Sequence, residues 1–76
     1  TGVKICENCI VNTKALIEHD SVVESHCHVS TAAVVNGGSY ISQGTFFGSN
    51  AVGKQGVQTE YAEFIKAGSC YKGEGS

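Results

Sequence analysis

Ile17-Glu18-His19-Asp20-Ser21-Val22-Val23-Glu24-Ser25-His26-Cys27-His28-Val29 places a large aliphatic residue at Ile17, Val23 and Val29 and a small one at Ser21 and Cys27. Both columns have a spacing of six, and both extend outward from this stretch. The large column runs Ile5, Val11, Ile17, Val23, Val29, Val35, Ile41 and Phe47, although Val, Ile, Leu and Phe together make only 18 of the 76 residues. The small column, four residues after each of these, runs Cys9, Ala15, Ser21, Cys27, Ala33, Ser39, Thr45 and Ala51. Apolar residues do not recur at three and four, so the pattern is not that of an amphipathic helix; it is an internal hexapeptide repeat. A short strand supplies one large inward side chain, and the small residue then lets the chain turn a corner. Three such strands make a triangular coil of 18 residues, and the chain holds about four coils, stacked at roughly 4.8 Å per layer through parallel ladder hydrogen bonds. The predicted fold class is all-β, a parallel β-helix, with residues 1–76 as a single domain. The register weakens at Gly53 and Thr59 and resumes at Ile65 and Tyr71, which predicts a loop bulge in that stretch.

Composition agrees with a repeat architecture. A chain of 76 residues is near the size at which an ordinary core stops sufficing and stacking or partner subunits are needed. The charged share is 16% and the hydrophobic share 41%, the reverse of a disordered composition. A net charge of -2 gives no basic face for nucleic acid or an anionic membrane. With no long apolar run and no signal-peptide core, the chain is expected in the cytoplasm, its four cysteines reduced.

Stacking at 18 turns the sequence into a contact list. Cys9 stacks on Cys27 with parallel Cβ vectors, a geometry that favours packed thiols over a disulfide. The residues that point outward fall into three stripes: Ile10, His28, Phe46 and Phe64; Leu16, Val34, Val52 and Cys70; Val22, Tyr40, Gln58 and Ser76. Two of these are apolar, which marks subunit interfaces, and two different faces shared with neighbours close into a ring. A homotrimer fits a triangular prism best.

His19 and Asp20 occupy a corner, and Gly37 and Gly38 stack directly above them. The glycine pair clears side chains from the space beside His19 and leaves backbone amides for a ligand. Histidine titrates near neutrality, so His19 is the candidate general base, with Asp20 as the carboxylate beside it. His28 lies outward next to Phe46. A metal reading through Cys6, Cys9, His26 and His28 has zinc-like ligand types, but Cys9 points inward and Cys6 outward. No metal is expected within one chain.

The run Val11-Asn12-Thr13-Lys14-Ala15-Leu16-Ile17-Glu18-His19-Asp20-Ser21-Val22-Val23, with Cys27-His28-Val29-Ser30 and Gly37-Gly38, resembles the left-handed β-helix domain of sugar acetyltransferases. The similarity is greatest to sialic acid O-acetyltransferases and to bacterial enzymes that N-acetylate nucleotide-linked amino sugars. The resemblance implies a left-handed coil and a trimer with sites between subunits. It also implies acetyl-CoA as co-substrate and a sugar-type acceptor. His19 would be the base, Asp20 its acidic neighbour, and His28 a contact to acetyl-CoA near its reacting end. Ser49, after the matching Gly48, and Ala67, before Gly68, would line the pantetheine arm. Acetyl transfer would be direct, since Cys27, the conceivable nucleophile, points inward. The family's N-terminal nucleotide-binding α/β domain has no counterpart in these residues. Two other readings share the coil. One is a non-catalytic trimeric scaffold or truncated family member. The other is a metal-dependent hydratase similar to the γ-class carbonic anhydrases, with His19, His26 and His28 shared across subunits.

Overall fold

The computed structural model describes residues 2–73. Each hexad contributes one two-residue strand: β1 (Lys4–Ile5), β2 (Ile10–Val11), β3 (Leu16–Ile17), β4 (Val22–Val23), β5 (His28–Val29), β6 (Val34–Val35), β7 (Tyr40–Ile41), β8 (Phe46–Phe47), β9 (Val52–Gly53), β10 (Phe64–Ile65) and β11 (Cys70–Tyr71). They form three parallel sheets, which are the faces of a prism. The first face is β1-β4-β7, the second β2-β5-β8-β10 and the third β3-β6-β9-β11. Every pairing is offset by 18 residues, as in Ile5↔Val23, Val23↔Ile41 and Phe47↔Ile65. The fold is a parallel β-solenoid of about four coils, without a helix among the described residues, and therefore without one long and apolar enough to cross a membrane. Ser76, placed by the period on the first face, lies outside the described residues.

Both inward columns are where the period puts them. Val23, Val29, Val35, Ile41 and Phe47 are fully buried, and so are Ser21, Cys27, Ala33, Ser39, Thr45 and Ala51 within about one per cent. The buried hydroxyls are bonded. Ser21 Oγ donates to Asn36 O at 3.0 Å, Ser39 Oγ to the same carbonyl at 2.7 Å, and among the described residues no buried side-chain polar atom is left unpaired. Paired hydroxyls cost little in a core, whereas unpaired ones would be expensive.

A third column emerges only in the structure. Every sixth residue from Gly2 through Asn8, Lys14, Asp20, His26, Ala32, Gly38, Gly44, Asn50, Gly56 and Ala62 to Gly68 has a positive φ, between 55° and 78°. From Asn8 onward each is the third residue of a corner turn, and seven of these turns are closed by a bond such as Ala33 N–H to Ser30 O at 3.1 Å. A positive φ at that place defines a type II turn. The amide of the same residue donates to the corner one coil earlier, as Ala32 to Thr13 O and Gly38 to His19 O. Corners are therefore stacked and hydrogen-bonded like the faces.

The expected loop bulge is absent. Tyr40 pairs with Gln58 and Phe46 with Phe64, both at 18, and Gly56 and Ala62 keep the positive φ, so no residue is inserted. The apolar columns lapse there, but the corner bonds carry the register through. Gly53 leaves a gap that Phe47 fills: a Cβ added at Gly53 would come within 2.9 Å of Phe47 Cζ. Thr59, in the large column, accepts the Ser42 amide at 2.8 Å and bonds the Thr45 hydroxyl at 3.0 Å.

Candidate functional site

Three corners run the length of the prism. The one between the third and first faces holds Gly2, then His19 and Asp20, then Gly37 and Gly38, then Gln55 and Gly56. His19 Nδ1 lies 3.4 Å from Asp20 Oδ2, with the two side chains 62% and 75% exposed. That is a long, solvated contact, which orients the ring more than it stabilises the fold. With Nδ1–H donating to the carboxylate, Nε2 carries the free lone pair. The two glycines above divide the work. Gly37 is buried under the imidazole, where a Cβ would approach Nε2 to 2.8 Å, while Gly38 faces open space. Below, a Cβ on Gly2 would press on Asp20 Oδ1. A side chain at Gly2 or Gly37 would therefore displace Asp20 or His19 from these positions.

His28 is in β5 on the second face, across the prism from that corner. Asn12 Nδ2 donates to His28 Nε2 at 3.1 Å, which puts the ring proton on Nδ1. The ring meets Phe46 edge-on at 5.0 Å, and Phe46 stacks on Phe64 at 5.1 Å with an interplanar angle of 6°. Sequence reasoning assigned no role to Asn12. The signal was available, since a residue 16 positions earlier sits diagonally below on the previous coil. Tyr40 and Glu24 form another such pair: the Tyr40 hydroxyl donates to the Glu24 carboxylate. That bond pushes the phenol pKa up, with burial and the Glu24 charge adding to it.

Gly48, Ser49 and Ala67 lie at the corner between the second and third faces. Gly48 is buried, and a Cβ there would meet Ala67 N at 2.6 Å and Ile65 O at 2.7 Å, so its lack of a side chain serves close stacking of the next coil. Ser49 and Ala67 stack through Gly68 N–H to Ser49 O at 2.8 Å. They share one property with Gly37. All three are the second residue of a corner turn, whose amide has no acceptor among the described residues. The second residues of the other corner turns share this, and of the three only Ser49 and Ala67 are exposed, so that their amides are open to a ligand carbonyl.

One chain does not bring these groups together. His19, Asp20 and Gly37 line one edge of the third face, Gly48, Ser49 and Ala67 the other edge, and His28 lies on the second face. The outward residues of the third face, Leu16, Val34, Val52 and Cys70, lie between the two edges. Cys27 is buried, its thiol donating to Ser42 O at 3.1 Å, and burial pushes its pKa up, which keeps it neutral. All four thiols are free, and among the described residues no three His, Cys, Asp or Glu side chains are placed to hold a metal ion. Comparison of the chain with protein-family models and with curated proteins returns no match.

Proposed function

We propose that the chain is the catalytic β-solenoid of an acyltransferase that takes an acyl group from acetyl-CoA and works as a threefold assembly. The carrying observation is the division of the site across the two edges of one apolar face. Turning the third face toward a threefold axis sets the His19 corner of each copy beside the Ser49–Ala67 corner of the next, and covers Leu16, Val34, Val52 and Cys70. The resulting cleft has His19, Asp20 and Gly37 on one wall and Ser49, Ala67 and His28 of the neighbour on the other.

In that cleft His19 Nε2 accepts the proton of an acceptor amine or hydroxyl as the heteroatom attacks the thioester carbonyl. Asp20 holds the opposite ring nitrogen and favours the imidazolium that forms. The Ser49 and Ala67 amides hold the amide groups of the pantetheine arm, and His28 lies near the carbonyl. The C–S bond breaks and the imidazolium proton goes to the leaving thiolate, so the acyl group passes without a covalent enzyme intermediate. A sugar-type acceptor follows from the resemblance to sugar acetyltransferases.

Subunit mixing tests the reading. His19→Ala homotrimers are expected to lose at least about a hundredfold in kcat, the size of a general-base contribution, and His28→Ala homotrimers to lose activity through the contact at the thioester end. Assembled together in equal amounts, they regenerate intact sites at about a quarter of the junctions, and that share of activity returns. Inactive mixtures, or a wild-type trimer that neither binds nor turns over acetyl-CoA, leave a non-catalytic scaffold as the better description.

A further inference from the structure

The second face, with Ile10, His28, Phe46 and Phe64 outward, carries the two most exposed large apolar side chains of any face, Phe64 at 69% and Ile10 at 52%. Its two edges differ in charge. The corner before it holds Glu7, Glu24, Glu60 and Glu63 and no lysine, and the corner after it holds Lys14 and Lys66 and no carboxylate. Glu24 and Glu63 are already engaged, by the hydroxyls of Tyr40 and Tyr71. Glu7, Glu60, Lys14 and Lys66 are exposed, and none of the four is in an ion pair among the described residues, where His19–Asp20 is the one contact of that kind. They stand beside the two exposed apolar residues. Glu7 and Lys14 flank β2, which carries Ile10, and Glu60 and Lys66 flank β10, which carries Phe64. Within one chain the width of the face keeps each acid from its base.

Symmetry brings them together. A copy turned by 180° about an axis that runs along the solenoid between two second faces keeps its coils level and sets its acidic edge against the first copy's basic edge. Glu7 then meets Lys14 and Glu60 meets Lys66, each pair formed twice. Seven and six residues of an 18-residue coil separate the members of the two pairs, a height difference of about 2 Å, which a lysine side chain spans. The alternatives oppose like charges, which is unfavourable. An antiparallel copy sets acid against acid. A level copy presenting its first face brings the shared acidic corner against itself, and one presenting its third face does the same with Lys14 and Lys66. We infer that the second face is a docking surface for a second copy of this chain, packed level and parallel, with Ile10, Phe46 and Phe64 between rims of opposite charge. The face is narrower than the 21 Å cross-section of the solenoid, so the contact is small and reversible, in the micromolar to sub-millimolar range. Docking does not depend on the acyltransferase reading; where both hold, the docked copy covers His28, and docking competes with turnover.

Sedimentation equilibrium up to about 1 mM protein tests the pairing through charge reversal. The variants are Lys14→Glu/Lys66→Glu, Glu7→Lys/Glu60→Lys and, as a control on other parts of the surface, Lys4→Glu/Lys54→Glu. All six side chains are exposed, and far-UV circular dichroism checks that the coils persist. Wild type is expected to gain particle mass with concentration, less so at about 0.5 M salt. Each of the first two variants alone should associate at least about tenfold more weakly, since all its rims carry one sign. Mixed in equal amounts, the two should associate at least as tightly as wild type, while the control behaves as wild type and gains nothing on mixing with Glu7→Lys/Glu60→Lys. Wild type that gains no mass, reversed variants that associate like wild type, a mixture that does not associate, or a control mixture that associates as well, each overturns the docking surface. A particle of three chains whose mass no variant and no concentration alters keeps the threefold reading and overturns this one. Charge-dependent pairing by a protein that binds no acetyl-CoA does the reverse.

Discussion

Residues 17–47 and residues 53–63 occupy the same solenoid but obey the hexad to different degrees. In the first stretch each inward position holds the residue class that the period demands, and the core from Val23 to Phe47 is fully buried. In the second, Gly53 and Thr59 stand in the large column and Val57 and Glu63 in the small one. Yet the offset of 18 and the positive-φ corners continue through both. The difference teaches that the coil path is set by stacked corners and backbone ladders, while the apolar column fills whatever volume that path leaves. Where the column fails, neighbours compensate. Phe47 occupies the space beside Gly53, and Glu63 accepts Tyr71 O–H at 2.8 Å and Glu60 N–H at 2.8 Å. That polar closure distinguishes the last coil from the first, where the inward Ile5 and Val11 remain 46% and 38% exposed.

The largest test of this comparison is Phe47→Ala. Phe47 serves both stretches, as a core residue of one and the filler of the other, so its loss is expected to destabilise by about 3–5 kcal/mol. Denaturant titration of Phe47→Leu with and without Gly53→Ala sharpens the point: the added methyl should restore part of the loss in the Leu background and destabilise the wild type. Additive effects would show that Phe47 and Gly53 are not coupled.

A smaller effect is expected at Thr59. Thr59→Val keeps the shape but leaves the Ser42 amide without its acceptor and the Thr45 hydroxyl with only its bond to Glu60 O, at about 1–3 kcal/mol. Hydrogen exchange at the Ser42 amide should accelerate by more than that at the Val29 amide, which lies in the regular stretch. Uniform acceleration would mean that the two stretches open as one unit.

The smallest is a gain. Ala62 and Ala32 hold φ of 55° and 59°, one in each stretch, and glycine tolerates that region without the steric cost. Ala62→Gly and Ala32→Gly are each expected to stabilise by about 0.5 kcal/mol, the relief exceeding the added freedom of the unfolded chain. A gain at Ala32 alone would show that the corners of the two stretches are not equivalent.

Much of the fold was legible because parallel stacking at a constant offset converts sequence distance into spatial neighbourhood. Ile5, Val23 and Ile41 could be placed above one another without knowing a single torsion angle, and the apolar stripes through Phe46 and Val52 followed. The corner column was harder to read: eight of its twelve positions are Gly, Asn or Asp, which favour a positive φ, but Lys14, His26, Ala32 and Ala62 interrupt the signal. For the same reason Gly53 and Thr59 read as a break in register: without the corners, the missing large side chains were the only signal. At the site, His19 and Asp20 were visible as a corner pair. Their confinement by Gly2 and Gly37 was not, nor was the structural need for Gly48 beneath Ala67.

From the amino-acid order alone come the number of coils, the 18-residue register and the residues on each face, since all three repeat along the axis and repetition is what a linear pattern can carry. The rest is settled within and across single layers, by side-chain volume and hydrogen-bond direction, which do not repeat. Phe47 leaning into the gap at Gly53, Asn12 reaching His28, and the width of the third face that holds His19 apart from Ser49 and Ala67 are of this kind.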